Sequence, residues 1–298
     1  MLSILLPVYK CSCVALVTEL QRQCLECGIA YEIIVADDGT MADKTNQYIV
    51  ERNKVIGQLE SVRYITRQEN VGRSAIRNFL FSQSKGDRIL FIDGDLSLDN
   101  PDFIRRYMQA EGDVVVGGIR IGGNPEQWKG NLRYKYECAF ERKHSLSDRQ
   151  RRPFQSFRTT NFIVKRAVFV QYPFDEKLTH YGYEDVLWGK TLEENGVQII
   201  HINNPITLTD YENNTLFIDK TEESLRTLYE YQMLLKGYSK LLEARDRVVL
   251  SHLLKVVLII NKLFGKKVKK LLQGNKPSIF LFNLYKLMYY ISLEQQAR

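Results

Sequence analysis

The sequence lacks long uncharged apolar runs, and its amino terminus lacks the basic segment that begins a signal peptide. Nowhere do about 18 apolar residues follow one another without a charge, so no membrane-spanning helix is predicted. Pro7 interrupts the first apolar run, and residues 1–8 are therefore predicted to begin a domain as a strand. Internal repeats and low-complexity segments are absent as well. The 298 residues predict a globular protein with an addition at one end.

Cysteine is scarce and odd in number, with five residues in the chain, which indicates a reducing cytoplasm. Four of the five, however, form a C-x-C pair and a C-x-x-C pair, namely Cys11, Cys13, Cys24 and Cys27. The stretch between the pairs has the pattern of an amphipathic helix, which would spread the thiols along its length instead of converging them on a metal. Packed or free thiols are therefore favoured over a structural zinc site.

Positive charge is confined to one end of the chain. Residues 241–298 hold eleven Lys and Arg against three Asp and Glu, whereas the preceding 240 residues are nearly neutral. A nucleic-acid enzyme usually carries its basic surface on the catalytic body, so nucleic acid is not an expected partner. The basic helical pattern of this tail is typical of contact with an anionic membrane surface, and the alternative is a helical appendage packed on the core or on another subunit.

Strand and helix patterns alternate through the first hundred residues. Four nearly continuous apolar runs predict strands that are covered on both faces: Ser3–Leu6, Glu32–Val35, Val62–Ile65 and Arg88–Ile92. Segments of helical pattern lie between them: Cys13–Cys27, Ala42–Ile56 and Arg73–Ser84. This order predicts an α/β fold with a mostly parallel central sheet flanked by helices.

The remaining chain is predicted less regularly. Further strands are expected at Asp113–Ile121, Thr160–Val164 and Val197–Ile202, a helix at Glu184–Glu194, and an exposed loop at residues 141–156. From about Thr221 the pattern becomes entirely helical, with continuous segments at Val248–Leu263 and Ser278–Leu293. We therefore expect one domain over residues 1–220 and a basic helical extension over residues 221–298.

Acidic residues collect where the predicted strands end. Asp93-Gly94-Asp95 follows the run RILFI, and Asp37-Asp38-Gly39 follows EIIVA. In an open α/β sheet the carboxyl ends of the strands form the ligand crevice, so these turns are expected to face one site. Two carboxylates at a strand end suit a hard divalent cation shared with a diphosphate. The structural alternative is ordinary turn chemistry with a helix cap.

A third acidic group lies at Gly182-Tyr183-Glu184-Asp185, just before a predicted helix. Acidic residues at a helix start are stabilised by the helix dipole, which is the structural explanation. The functional interpretation makes Asp185 a general base that accepts a proton from an acceptor hydroxyl.

Five segments, taken in order, resemble the motifs of the family 2 glycosyltransferases: SILLPVYK, YEIIVADDGT, NVGRSAIRN, KGDRILFIDGD and YGYEDVLWG. The resemblance covers roughly the first 215 residues. It implies the Rossmann-like GT-A fold, with residues 1–220 as the nucleotide-sugar-binding catalytic domain. It also implies single displacement with inversion at the anomeric carbon.

Carried over position by position, the resemblance assigns roles to individual residues. It implies a divalent cation, Mn²⁺ or Mg²⁺, held by Asp95, with Asp185 as the base and Glu184 beside it orienting the acceptor. The implied donor-binding residues are Pro7, Tyr9, Asp38, Arg77 and Asp93. The residues expected to contact the acceptor are Tyr183, Trp188 and Asn161, with a core position as the alternative for Trp188.

One departure from the family pattern concerns a metal-ligating histidine that some relatives place after an Asn-Pro pair. Here Leu208 stands where that histidine is expected, after Asn204-Pro205. His201 precedes the pair and is predicted to be structural. The cation is therefore expected to be held by Asp95, the diphosphate and water.

The leading hypothesis is a cytoplasmic inverting glycosyltransferase, peripheral on the inner face of the plasma membrane. It would move a sugar from a nucleotide-diphosphate donor, a UDP-sugar in the first instance, to a hydroxyl of a glycan or lipid-linked acceptor. A sugar nucleotidyltransferase is disfavoured because PVYKCSC lacks a glycine-rich triphosphate loop. A non-catalytic nucleotide-sugar-binding assembly partner is disfavoured because both Asp95 and Asp185 are present.

Overall fold

The computed structural model describes residues 1–296, and the chain divides into two compact units. The first unit comprises Met1–Gly122, His144–Thr179 and Glu184–Asp210. The second unit comprises Gly123–Lys143, His180–Tyr183 and the chain from Tyr211 onward. The predicted boundary after residue 220 falls within a helix, Asn214–Glu230, and the division into a catalytic domain and an extension stays a prediction.

Nine strands, all in the first unit, carry the fold. They are β1 (Leu2–Val8), β2 (Tyr31–Asp37), β3 (Val62–Thr66), β4 (Arg88–Ile92), β5 (Val114–Val116), β6 (Ile119–Ile121), β7 (Asn161–Lys165), β8 (Ile199–His201) and β9 (Ile206–Leu208). Seven of them form one sheet in the order β3-β2-β1-β4-β7-β5-β8, and β6 pairs with β9 in a separate sheet. Only β7 runs antiparallel to its neighbours in the larger sheet, so the predicted mostly parallel α/β sheet is confirmed.

Thirteen helices are present in the described residues. They are α1 (Val14–Glu26), α2 (Gln47–Asn53), α3 (Arg73–Ser82), α4 (Phe103–Gln109), α5 (Pro125–Trp128), α6 (Leu132–Glu141), α7 (Leu146–Arg151), α8 (Arg166–Gln171), α9 (Glu184–Glu194), α10 (Asn214–Glu230), α11 (Lys240–Leu250), α12 (Leu254–Gln273) and α13 (Ile279–Gln296). The second unit is built from α5, α6 and α10–α13.

The core of the first unit explains why its strands are continuous apolar runs. Both faces of the sheet are covered, and successive residues of β1 such as Ile4, Leu5 and Leu6 are fully buried. Aromatic rings fill one side of the sheet: Phe91 stacks on Phe162 with ring centroids 5.0 Å apart. Burial on this scale supplies the main stabilisation of the sheet and fixes where its strands end.

Four predicted elements differ from the structure. Asp113–Ile121 is not one strand but two, β5 and β6, which belong to different sheets. The break falls at Gly117, where a Cβ would lie 2.3 Å from the Asn204 carbonyl oxygen, and at Gly118, whose φ is +94°. The predicted loop at 141–156 contains α7, and the predicted helix at Ala42–Ile56 contains two short 3₁₀ turns before α2.

The predicted helix Val248–Leu263 is broken at residues 251–253, between α11 and α12. His252 adopts a positive φ of +58°, which ends α11 where Ser251 and His252 interrupt the apolar run. In residues 1–296 no single helix is long and apolar enough to cross a membrane. The pair α11 and α12 passes that test jointly, but the two helices are bent by 113°.

Candidate active site

The carboxyl ends of β1, β2 and β4 lie side by side in the first unit. The Asp38 N–H donates to the Val8 carbonyl oxygen at 2.8 Å, and the Gly94 N–H donates to the Pro7 carbonyl oxygen at 3.2 Å. A Cβ at Gly94 would come within 2.5 Å of the Val8 side chain, so this turn requires glycine. The predicted convergence of the acidic turns at one edge of the sheet is therefore present in the structure.

The two carboxylates after β2 are both used by the fold. Asp37 is fully buried and accepts hydrogen bonds from the Thr40 N–H at 2.8 Å and the Tyr64 hydroxyl at 3.1 Å. Asp38 accepts from the backbone N–H groups of Val71 and Gly72 at 3.0 and 3.2 Å. Burial raises the pKa of Asp38, and these backbone donors counteract part of that rise. Asp38 thus fixes the loop that enters α3.

Arg77 connects the turn after β4 to the start of α9. Its side chain is only 2% exposed, and its Nη2 donates to Oδ1 of Asp93 at 2.6 Å. Its Nη1 lies 3.8 Å from Oε1 of Glu184, whose side chain is 5% exposed. Arg77 is therefore an internal link between two acidic residues, and its guanidinium has little surface left for direct contact with a nucleotide.

Arg73, one turn earlier on α3, also reaches Glu184, with Nη1 3.3 Å from Oε1. Its role was missed by the sequence analysis, although it lies within the NVGRSAIRN segment. Arg73 and Arg77 are four residues apart on α3, and this spacing places their guanidinium groups on the same helix face. That spacing was the available signal.

Asp185 follows Glu184 in the first turn of α9 and is half-buried. Burial raises the pKa of Asp185 to about 6, and the negative charge of Glu184 adds to the rise. The positive charges of Arg158 and Arg73 favour the ionised carboxylate and therefore limit the rise of the pKa. A carboxylate with such a pKa is ionised at neutral pH and is still a better proton acceptor than an exposed aspartate.

Among the predicted site residues at the ends of β1, β2 and β4, Asp95 and Tyr9 are exposed, with Tyr9 at 46% exposure. In the described residues no three His, Cys, Asp or Glu side chains come together as a metal-binding cluster. A single exposed carboxylate still suits Mg²⁺ or Mn²⁺ of the kind that bind through one or two carboxylates and the phosphates of a substrate. The donor set at Asp95 fits a cation that arrives with a diphosphate.

His201 is structural, in agreement with its predicted role. Its Nε2 lies 2.9 Å from the Pro153 carbonyl oxygen and its Nδ1 lies 3.0 Å from Nη1 of Arg149. Burial, together with the adjacent Arg149 guanidinium, lowers the pKa of His201 to about 4. A neutral ring that accepts from Arg149 and donates to Pro153 has both nitrogens occupied.

Two of the residues predicted to contact the acceptor lie inside the protein. Trp188 is 2% exposed, packs on Phe157 and Phe174, and donates from Nε1 to the Tyr172 carbonyl oxygen at 2.8 Å. Asn161 is 1% exposed and bonds to Tyr107, Gly118 and Asn204. An acceptor role for these two has no support from their positions. Tyr183 belongs to the second unit and has a φ of +69°.

The cysteines behave as packed thiols. All five are free, with Cys13 and Cys24 buried and the others partly buried. Burial raises the pKa of Cys11, Cys13 and Cys24 to about 12, so these thiols are protonated at neutral pH.

Curated relatives match part of the chain. One, 31% identical over 133 residues, is the undecaprenyl-phosphate 4-deoxy-4-formamido-L-arabinose transferase of Pseudomonas aeruginosa (strain LESB58), and the match covers 43% of this chain and 38% of that protein. The enzyme of the same name from Aeromonas hydrophila is 30% identical over 128 residues, which cover 40% of this chain and 37% of the relative. The matched segment thus spans well under half the length of these relatives.

A solved structure shares the fold. The mannosyltransferase PcManGT from Pyrobaculum calidifontis, solved with GDP-Man and Mn²⁺, superposes with a TM-score of 0.54 at 11% identity. The alignment covers 99% of this chain and 86% of the other. At this identity the likeness shows the architecture, and it agrees with the predicted GT-A sheet.

The family model described as "Glycosyl transferase family 2" matches residues 3–174, which is more than half of the chain. The match includes β1 to β4, the turns that carry Asp38, Asp93 and Asp95, and the helix that carries Arg77. The predicted enzyme class is therefore confirmed, and the chain belongs to glycosyl transferase family 2.

Proposed function

We propose that the protein transfers a sugar from a nucleoside-diphosphate donor to an acceptor hydroxyl, with inversion at the anomeric carbon. The observation that carries the proposal is the pair of contacts made by Arg77, to Asp93 at 2.6 Å and to Glu184 at 3.8 Å. These contacts bring the acidic turn after β4 and the first turn of α9 into one cluster. A donor site and a proton acceptor are needed together for direct displacement.

Asp185 is the proposed base. Its carboxylate accepts the proton of the acceptor hydroxyl while the acceptor oxygen forms a bond to the anomeric carbon. The bond from that carbon to the diphosphate oxygen breaks in the same step, and the nucleoside diphosphate leaves with the electron pair. Glu184 is held by Arg73 and Arg77 and positions the first turn of α9. Base catalysis of this kind contributes about 10²–10⁴ in rate.

Nucleoside recognition is proposed for the ends of β1 and β2. Tyr9 offers an exposed ring beside Pro7, and Asp38 retains lone pairs beyond the two that accept from Val71 and Gly72. Asp93 keeps one carboxylate oxygen beyond the one bound to Arg77. A UDP-sugar is the donor class implied by the resemblance of these segments to family 2 enzymes.

Asp95 is the proposed ligand of a divalent cation, Mn²⁺ or Mg²⁺. Bound together with the diphosphate, such a cation supplies Lewis-acid stabilisation of the negative charge on the leaving group. Asp95 would hold it at the strand end, and Asp93 would remain paired with Arg77.

The proposed acceptor is a hydroxyl-bearing glycan or a lipid-linked acceptor presented at a membrane surface. The lipid-linked alternative is the one supported by the matched relatives, whose names include undecaprenyl phosphate. The chain is accordingly proposed to work at the inner face of the plasma membrane.

The test separates the roles of the two aspartates. Purified Asp95→Ala and Asp185→Asn variants would be titrated with UDP-sugars by calorimetry, with and without Mn²⁺, and assayed for transfer. We expect both variants to lose transfer, but only Asp95→Ala to lose the cation-dependent part of donor binding. Asp99→Ala, another exposed aspartate a few residues further on, is the matched control and should keep both activities.

Equal loss of donor binding in the two variants would contradict the assigned roles. Donor binding without any transfer or donor hydrolysis by the unmodified protein would instead favour a non-catalytic nucleotide-sugar-binding partner.

A further inference from the structure

One side of α12 exposes a row of apolar side chains. The α12 face consists of Val256, Ile259, Ile260, Leu263 and Phe264, with Leu263 67% and Ile259 58% exposed. Their spacing of three and four residues places them on the same side of the helix. Leu250 and Leu253, just before α12, are 78% and 50% exposed. Single exposed apolar residues are ordinary, whereas a contiguous group of this size marks an interaction surface.

The opposite side of α12 accounts for how the helix is held. Leu272 and Gly265 are its buried residues, and Leu272 packs in a cluster with Ile218 and Phe282 of the second unit. Lys269 pairs with Glu222 at 2.7 Å and with Asp219 at 3.3 Å, both on α10. The helix therefore contacts its own unit through one side, and the α12 face remains outside that packing.

Lysines surround the α12 face. At 100° per residue, Lys255, Lys262 and Lys266 lie along one edge of the face, and Lys267 and Lys270 lie at its carboxyl-terminal end. All five are exposed, and within residues 1–296 none of them forms an ion pair. An apolar strip bordered by unpaired cations matches the boundary between the headgroups and acyl chains of an anionic bilayer.

We propose that the α12 face binds an anionic lipid bilayer, with its apolar residues at the acyl boundary and the five lysines among the headgroups. A second copy of the chain fits less well, because a two-fold contact through this face would bring the same lysines together without acidic partners. The bend of 113° between α11 and α12 places Leu250 and Leu253 at an exposed corner beside the face. That corner is the proposed first point of insertion.

Binding of the α12 face to a bilayer would bring the protein to the membrane that holds the lipid-linked acceptor of the proposed function. The membrane proposal is nevertheless tested without donor or acceptor. A chain that does not bind vesicles would therefore contradict the membrane proposal and not the proposed transfer reaction. A chain that does not transfer sugar would contradict the proposed reaction and not the membrane proposal.

The experiment is sedimentation of the full chain with vesicles of phosphatidylcholine alone or of phosphatidylcholine with phosphatidylglycerol. We expect binding to the anionic vesicles, reduced by about tenfold or more in Lys266→Glu/Lys267→Glu and abolished in Ile259→Glu/Leu263→Glu. Val170→Glu is the matched control because Val170 is 64% exposed in the first unit, and it should bind like the unmodified chain.

A second kind of variant tests the α12 face without adding charge, so its result does not depend on whether the glutamate variants fold. Leu263→Trp keeps the face apolar, and its fluorescence should shift to the blue when anionic vesicles are added. An unshifted spectrum, or equal binding by Ile259→Glu/Leu263→Glu and Val170→Glu, would overturn the proposal. The proposal would also be overturned if the unmodified chain forms dimers that Ile259→Glu dissociates and does not bind vesicles. That result would assign the α12 face to self-association.

Discussion

The two units depart from the usual distribution of charge and apolar surface in opposite ways. In the first unit the side chains of Arg77 and Glu184 are only 2% and 5% exposed, and Arg77 pairs both with Glu184 and with the partly buried Asp93. In the second unit Leu263 and Ile259 are apolar groups with most of their surface exposed. Buried charge is costly unless it is paired, and exposed apolar surface has no partner within the fold.

Under the proposed function, the paired charges of the first unit hold the turn after β4 and the start of α9 in place, so substitutions there should change rate and stability together. The exposed side chains of the α12 face make few contacts within the fold, so substitutions there should change vesicle binding and leave stability nearly unchanged.

The largest effect is expected for Asp185→Asn. Removal of the proposed base should lower kcat by about 10²–10⁴, because the acceptor proton then has no carboxylate to accept it. The measurement is steady-state transfer under donor saturation. A decrease of less than a few-fold would make Asp185 a structural residue and would remove the base from the proposed site.

The next effect concerns Arg77→Met, which leaves Asp93 and Glu184 without their shared partner. Breaking a buried ion pair from one side costs about 3–5 kcal/mol in the free energy of unfolding. Urea denaturation measures it. Arg22→Met is the control, because Arg22 pairs with Glu19 and Glu26 on the surface and its removal should change stability little.

A double variant distinguishes the network from simple packing. Adding Glu184→Gln to Arg77→Met should cost less stability than Glu184→Gln costs in the unmodified protein, because Glu184 has then already lost one of its two guanidinium partners and keeps only Arg73. Additive losses in the double variant would show that Arg77 and Glu184 do not interact.

The pH dependence of the rate should reflect Asp185. Because its pKa is raised to about 6, kcat/KM should fall as the pH drops below about 6, where the carboxylate becomes protonated. Arg73→Gln should move this limb to higher pH, because the Arg73 guanidinium favours the ionised form. Gln68→Ala, at an exposed site outside the cluster, should leave the limb in place.

The same shift has a consequence for stability with a defined sign. A carboxyl whose folded pKa is raised destabilises the folded state above that pKa, and the penalty vanishes below the unfolded value of about 3.9. The rise of about two pKa units predicts that Asp185→Asn raises the free energy of unfolding by about 3 kcal/mol at pH 8 and leaves it nearly unchanged near pH 3. Equal effects at both pH values would contradict the raised pKa.

The smallest effect is expected on the α12 face. Leu263→Ala should change the free energy of unfolding by less than about 0.5 kcal/mol, because the side chain is 67% exposed. The same substitution at Leu90, which is fully buried in β4, should cost about 2–5 kcal/mol. A large loss of stability in Leu263→Ala would show that Leu263 packs inside the protein, and it would remove the basis for membrane binding by the α12 face.

The sequence predicts the sheet of the first unit well because its strands are continuous apolar runs with acidic turns directly after them. Those turns at Asp38 and Asp93 needed only the rule that parallel strand ends share one edge of a sheet. The Arg77–Glu184 contact could not be predicted, because it joins residues that lie far apart in the chain. No local pattern records which arginine reaches which carboxylate.

Residue type alone also does not show which side chains are buried in the protein and which are exposed. Trp188 and Asn161 have side chains that often contact sugars, yet their polar atoms bond within the fold. The break at His252 was not predicted because Ser251 and His252 could lie on the polar side of a continuous helix, and the sequence pattern does not record the positive φ that ends α11. The roles of the predicted donor and metal residues remain predictions until ligand binding is measured.

Gly39 has a backbone conformation with consequences for how related sequences should be interpreted. Its φ is +86°, and a Cβ there would lie 2.4 Å from the Asn70 nitrogen, so two loops touch with no room for a methyl group. A descendant of this chain that had lost its chemistry would still need this glycine to fold. An intact Asp-Gly dipeptide after β2 in a related sequence would thus show that the fold is kept, and the proposed base at the start of α9 would be the position to compare for activity.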